Sequence, residues 1–186
     1  MGFGTRTAAM LALMLALTAC ASAGSTMAPP PPARVNVSTL PEGASAAARS
    51  GDPISQAVLS AVNQYRSEHD APALAGDASL EHVAAVHSAD MSMRNFVGHY
   101  NPDGQGPKER LMAVMPDYKG DFAENVAMVE GLGGKSPDAV AQDLVKKWIG
   151  SLEHRKNLRN AAFTRSGVGI AHKGDTIYAT ELFAGP

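Results

Sequence analysis

The apolar residues of this chain change their spacing once, and that change limits the folds open to it. Between residues 53 and 150 they recur at helical intervals, whereas from Ser166 onward they alternate. Asp52-Pro53 supplies a capping carboxylate and a proline at a first helical position, and Ile54, Val58, Val62 and Tyr65 follow on one face. A second helix is predicted over Ala78–Arg94, with Leu80, Val83, Ala84, His87 and Met91 as its buried stripe. Gly106-Pro107 opens a short third helix carrying Leu111 and Met112. Ser136-Pro137-Asp138 opens a fourth, with Val140, Leu144, Val145 and Trp148 facing inward and Gly150-Ser151 as its stop. The runs Ser166–Ala171 and Thr176–Phe183 read as strands joined by the turn His172-Lys-Gly-Asp175. Helices first and a hairpin last predict an α+β fold, not a parallel doubly wound sheet.

The 186 residues, 45% of them hydrophobic, suffice for one core. With 16 basic against 18 acidic residues, a net charge of -2 and no cationic run, nucleic acid is excluded as an expected partner. The N-terminus reads as an export signal: Arg6 precedes an uncharged stretch, Thr7 to Ala19, too short to span a bilayer and ending in small residues. Two cleavage sites compete. Leu17-Thr18-Ala19-Cys20 resembles a bacterial lipobox, whose Cys becomes the lipidated N-terminus, and Ala21-Ser22-Ala23 is an A-x-A site before Gly24. The lipobox is preferred because the chain's only Cys stands directly behind the apolar stretch. That reading divides the chain into a signal over residues 1–20, an Ala/Ser/Pro-rich tether over 21–52 and a folded domain over 53–186. The tether has too little apolar surface to offset its ordering entropy. The expected location is extracytoplasmic, with the N-terminal lipid making the membrane a partner; a cut after Ala23 would give a secreted protein instead.

No Gly-x-Ser-x-Gly elbow is present, and the one Cys is consumed at the N-terminus, so nucleophilic catalysis has no candidate and no catalytic residue is assigned. The folded part does carry an ordered series of short signatures. They are Asn63-x-x-Arg66, His87-Ser-x-Asp-Met91, Phe96-x-x-His99 with Asn101-Pro-Asp-Gly104, Phe122-Ala-Glu-Asn125, Trp148-x-x-Ser151-x-x-His154-Arg-x-Asn157, Phe163-Thr-x-x-Gly167-Val-Gly169 and Tyr178-x-Thr180-Glu181. Together they resemble the CAP superfamily, named after cysteine-rich secretory proteins, antigen 5 and pathogenesis-related proteins, and above all its bacterial branch with the SCP-type domain.

The resemblance implies an α-β-α sandwich with about four helices and a C-terminal antiparallel hairpin in a small sheet, together with a shallow cavity lined by His and acidic residues. Matched residue by residue, His99, Glu124 and His154 form the cavity, with Tyr178 and Glu181 as its neighbours. They come from a loop after the second helix, a loop after the third and the turn after the fourth. The chain departs from the family pattern at Ala123 and Glu153, each in place of Gly, and at Ser151 and Tyr178-Ala-Thr-Glu181, so a full two-His, two-Glu set is not expected. Two imidazoles and a carboxylate are donor types that zinc accepts, which makes Zn the candidate cofactor. His87 and Trp148 read as core residues, and the methionines Met91, Met93, Met112, Met115 and Met128 as core filling where their spacing is helical. The expected function is a membrane-anchored binding or interaction module for a small ligand, a lipid or a divalent ion. The alternative is a metal-dependent hydrolase of an envelope polymer or peptide.

Overall fold

The computed structural model describes residues 1–2 and 39–186, and the chain divides into residues 1–31 and 32–186, of which the second unit is the subject below. Cys20 and the rest of residues 3–38, which make up most of the segments read as signal and tether, lie outside the described residues. Helix α2, Pro53–Ser67, starts where Asp52 accepts the Ile54 amide and Pro53 occupies the first turn. Helix α3, Ala78–Arg94, is capped by Asp77 and ends at Asn95 in the left-handed region. Helix α4, Pro107–Val114, begins with the Gly106 amide donating to Glu109, and α5, Pro137–Gly150, begins with Ser136 accepting from Ala139. These are the four helices that the sequence predicts, three of them from their first residues and α3 from its apolar stripe.

The described residues hold two helices more. Helix α1, Glu42–Ala47, falls inside the segment read as tether: Leu40, Ala44 and Ala48 pack on Val86 and Ala89 of α3. The domain therefore begins before residue 53. Spacing of four puts these small residues on one face, and their size allows a close approach to α3. Helix α6, Leu152–Arg159, follows α5 after the single residue Ser151 and buries only Leu158, so no apolar stripe announces it.

Four strands form one sheet in the order β1-β3-β4-β2: β1 Ala75–Gly76, β2 Phe122–Glu130, β3 Arg165–Lys173 and β4 Thr176–Ala184. The predicted hairpin is β3–β4, antiparallel with Val168 opposite Glu181; β2 pairs antiparallel with β4, Asn125 opposite Glu181 and Glu124 opposite Leu182. One face carries Ala127, Val129, Val168, Ile170, Ile177, Ala179 and Phe183 against α2, α5 and α6, with Val58, Leu144, Trp148 and Leu158 filling the layer between. The other presents Leu182 and Ala184 to Leu80, Val83 and Ala84 of α3 and Leu111 of α4, and Val126 and Tyr178 to Met91. The result is an α-β-α sandwich.

Two close ties lock the layers. Gly167 and Gly169 let β3 run under α3 with no side chain between the backbones, and Ser88 Oγ bonds Gly169 O at 2.9 Å and Thr180 Oγ1 at 2.9 Å. Arg66 is fully buried and donates to the carbonyls of Pro72, Leu158, Asn160 and Phe163, joining α2 to the end of α6 and the approach to β3.

Candidate functional site

Strand β2 is one of the two outer strands of the sheet, and residues of both helical layers meet across its open edge. Its side chains alternate, so Glu124 leans toward the α3 and α4 layer while Asn125 faces the α5 and α6 layer. From the first layer comes the loop after α3. Phe96 packs with Met91 and Tyr178, and Asn101 closes a tight turn by accepting the amides of Asp103 and Gln105. From the second comes α6, clamped to β2 because Asn125 Nδ2 donates to His154 O at 3.2 Å and Asn157 Nδ2 to Asn125 Oδ1 at 2.9 Å. His99 and His154 thereby meet, with ring centres 5.7 Å apart and planes at 70°.

His99 Nδ1 lies 2.9 Å from Glu124 Oε1, while Arg110 Nη2 donates to Glu124 Oε2 at 2.8 Å and to His99 O at 2.9 Å. Arg110 and the Glu124 carboxylate are buried, and the His99 ring is open to solvent. Burial by itself would push the Glu124 carboxyl up. The His99 hydrogen bond, the Arg110 charge and the other positive and polar neighbours outweigh it and hold the carboxyl below the ordinary carboxylate range. His154 is pushed down from the usual imidazole value, first by burial and then by His99, against the opposing charge of Glu124. With the carboxylate accepting from Nδ1, a neutral His99 keeps its lone pair on Nε2. Behind this set stands His87, whose Nε2–H donates to Gly98 O at 2.8 Å and whose buried ring is pushed down to about 4 by burial above all.

The three residues matched to the cavity are thus brought together, from different elements than expected. Glu124 belongs to β2, not to a loop, and His154 to the first turn of α6, not to a turn after α5. Of the two neighbours, Tyr178 shares the Glu124 face of the sheet and packs with Phe96 of the His99 loop, whereas Glu181 does not reach the set. Tyr178 packs among Met91, Phe96, Val126 and Met128. Glu181 sits on the opposite face of the sheet, where Ser166 Oγ donates to Oε1 at 2.9 Å and Oε2 has no partner. A direct pairing with Asn125, one residue removed from Glu124, decides this, because one step of register changes the face. Arg110 was not anticipated from the sequence. It lies in a helix whose apolar neighbours Leu111 and Met112 draw the eye, and its carboxylate partner belongs to another element.

Burial pushes the Glu181 carboxyl up to about 8, against the Ser166 hydrogen bond and the Arg66 charge, so it is protonated at neutral pH. A carboxyl raised on folding contributes stability that is whole below the ordinary carboxylate range and is lost as pH rises toward 8. Glu181→Gln should therefore stabilise the protein at pH 7 by on the order of 2–3 kcal/mol and flatten the decline between about pH 5 and 8. Denaturant unfolding of both proteins across that window checks it, and parallel pH curves would refute the buried acid.

The donor set can be tested against a metal. An ion about 2.0–2.1 Å from one nitrogen of each ring stands roughly 3.2 Å from each ring centre, so tetrahedral partners have centres roughly 5.2 Å apart. The observed 5.7 Å is close to that spacing. Glu124 does not complete a triad: its oxygens are turned to His99 and Arg110, and among the described residues no group of three or more His, Cys, Asp or Glu side chains is arranged to hold an ion. The residues present fit two imidazole ligands with Glu124 as the carboxylate behind His99.

A small α-β-α sandwich with paired imidazoles at the open edge of its sheet defines the class. The chain belongs to the cysteine-rich secretory protein family, the CAP family, whose model matches residues 59–184. It is 32% identical to the uncharacterized protein YkwD of Bacillus subtilis over 117 residues, 63% of this chain and 42% of that protein. An extracellular protein containing an SCP domain from Bacillus anthracis superposes with a TM-score of 0.58 at 31% identity, over 72% of this chain and 40% of that one. An outer surface protein of Borrelia burgdorferi shares the fold, with a TM-score of 0.57 at 20% identity over 70% of this chain and 90% of that one. The chain thus spans less than half the length of the two Bacillus proteins. No helix among the described residues is long and apolar enough to cross a membrane.

Proposed function

We propose that this chain is an extracytoplasmic binding module, held to a membrane by a lipid on Cys20, whose paired imidazoles take a divalent ion and through it a small ligand. The reading is carried by one observation: the Arg110-held carboxylate of Glu124 accepts from His99 Nδ1, which fixes the ring and leaves the Nε2 lone pair to other use, with the His154 ring centre 5.7 Å away. His99 and His154 would hold the ion, and Glu124 and Arg110 would orient His99. A bound ion supplies Lewis acidity and open positions for water or ligand oxygens. The hydrolase alternative is carried less far, because the Glu124 carboxylate is buried and each of its oxygens already accepts a hydrogen bond, which leaves it poorly placed to take a proton from water.

Zinc should bind at neutral pH in the wild type and be lost in both His99→Ala and His154→Ala. Its affinity should weaken as pH falls below the ordinary imidazole range of about 6.5, where protons compete for the ligand nitrogens. Titration calorimetry on the three proteins, matched for folding by circular dichroism, decides the matter. Unchanged binding in either variant, or none in the wild type, would leave the imidazoles as part of a pocket for an organic ligand.

A further inference from the structure

Among the described residues, four large apolar side chains other than Met1 stand out in solvent: Met93 at 53%, Val97 at 49%, Tyr100 at 68% and Leu152 at 59% exposure. Their places are not scattered. Met93 is on the last turn of α3, Val97 and Tyr100 are on the loop that carries His99, and Leu152 opens α6 two residues before His154. The charged groups here are engaged with the protein itself: Arg94 pairs with Asp90 at 2.5 Å and Asp103 at 2.7 Å, and Lys173 donates to Ser92 O and Asn95 Oδ1. What this surface offers a partner is apolar and aromatic, not a field.

The N-terminal segment enters the domain at the same place. Gln105 Nε2, in the turn that Asn101 closes, donates to Thr39 O at 2.9 Å, and a Cβ on Gly43 of α1 would stand 3.4 Å from Met93 Cε. Residues 21–38 reach at most ~60 Å when fully extended and roughly 25 Å as a coil. A lipid on Cys20 would therefore hold the bilayer within reach of this surface, beside which the chain enters the domain. We infer that the surface bearing Met93, Val97, Tyr100 and Leu152 rests on that bilayer, so that the imidazole pair opens onto the headgroup layer and receives ligands from it.

The inference rests on the lipid anchor proposed above. A tyrosine at the rim of such a contact suits the interface, where its ring is buried and its hydroxyl stays wet. Because the local charges are paired, docking should depend little on salt, unlike a polybasic contact.

The test uses the full acylated chain in vesicles of phosphatidylethanolamine and phosphatidylglycerol. Since the only native Cys is spent on the lipid, Val97→Cys, Leu152→Cys and Gln56→Cys each give a single site for a nitroxide, Gln56 being an exposed residue of α2 beside β1, at the opposite edge of the sheet. Labels at 97 and 152 should be open to oxygen and shielded from a water-soluble nickel chelate, while the label at 56 should be open to both. Mass spectrometry and flotation report the anchor independently. Acylated, floating protein with all three labels equally open to nickel would overturn the docking and leave the anchor standing. Protein without acyl mass would overturn the anchor and the inference with it.

Discussion

Gly169→Ala should give no folded protein. An ideal Cβ at that position would stand 2.0 Å from the Ala85 amide nitrogen, 2.1 Å from the Ala84 carbonyl carbon and 2.4 Å from Ala85 Cα. These are helix backbone atoms, which cannot turn away as a side chain does. Relief requires lifting α3 off β3, and that would break the Ser88 bonds to Gly169 O and Thr180 and open the layer around Leu80, Val83 and Ala84. Overpacking of a flexible site costs about 1–3 kcal/mol, and a clash with fixed backbone belongs to the exceptional losses above about 4 kcal/mol. Gly150→Ala is the matched control, because nothing lies within 4 Å of its Cβ and alanine favours the helix it ends. Circular dichroism and urea unfolding of the two variants should differ completely. A soluble Gly169→Ala protein unfolding at the wild-type midpoint would mean that the helix and strand are less closely crossed than described.

Arg110→Met should cost about 3–5 kcal/mol, the usual penalty for leaving one member of a buried ion pair behind. The guanidinium serves Glu124 Oε2, His99 O and Gln105 O at once, so its loss leaves the carboxylate with His99 alone and removes a donor from two carbonyls, of which Gln105 O keeps the Asn101 amide. The pH dependence should also reverse. In the native protein the Glu124 carboxyl is held low, and its contribution is present above the ordinary carboxylate range and lost as pH falls. Without Arg110, burial, the largest single influence on this group, is opposed mainly by His99, and the carboxyl moves up. The deficit of Arg110→Met should then grow from pH 5 to pH 7.5, and the added change Glu124→Gln should recover much of it. Chemical denaturation of the single and double variants at both pH values measures this. A loss that is small or constant with pH would show that the ion pair does not hold the site.

These two residues mark what the sequence can and cannot disclose. The starts of α2, α4 and α5 were readable because a cap and a proline or glycine act within one turn, and the β3–β4 hairpin because its alternation and turn lie side by side. Helix α6 was not, since Leu-Glu-His-Arg-Lys-Asn-Leu-Arg buries only Leu158. Strand β2 was missed for a different reason. Both of its faces are partly covered, with Glu124 engaged on one and Asn125 on the other, so polarity does not alternate along it. His99, Glu124 and His154 were found through their motifs alone, because no local spacing relates residues that converge around a sheet edge. The same motifs misplaced Glu181, where the register of β2 against β4 is the deciding fact and is set by pairing across the sheet.

The family is named for its cysteines, yet this domain has none: the chain's single Cys is Cys20. The long-range tie that a disulfide would provide is made instead by Arg66, whose guanidinium gathers four carbonyls from segments as far apart as Pro72 and Phe163. Such a tie forms as the chain folds, with no oxidant and no wrong pairing to correct. A reductant does not undo it. The domain is thus independent of any thiol oxidase around it, and its stability does not follow the surrounding redox poise.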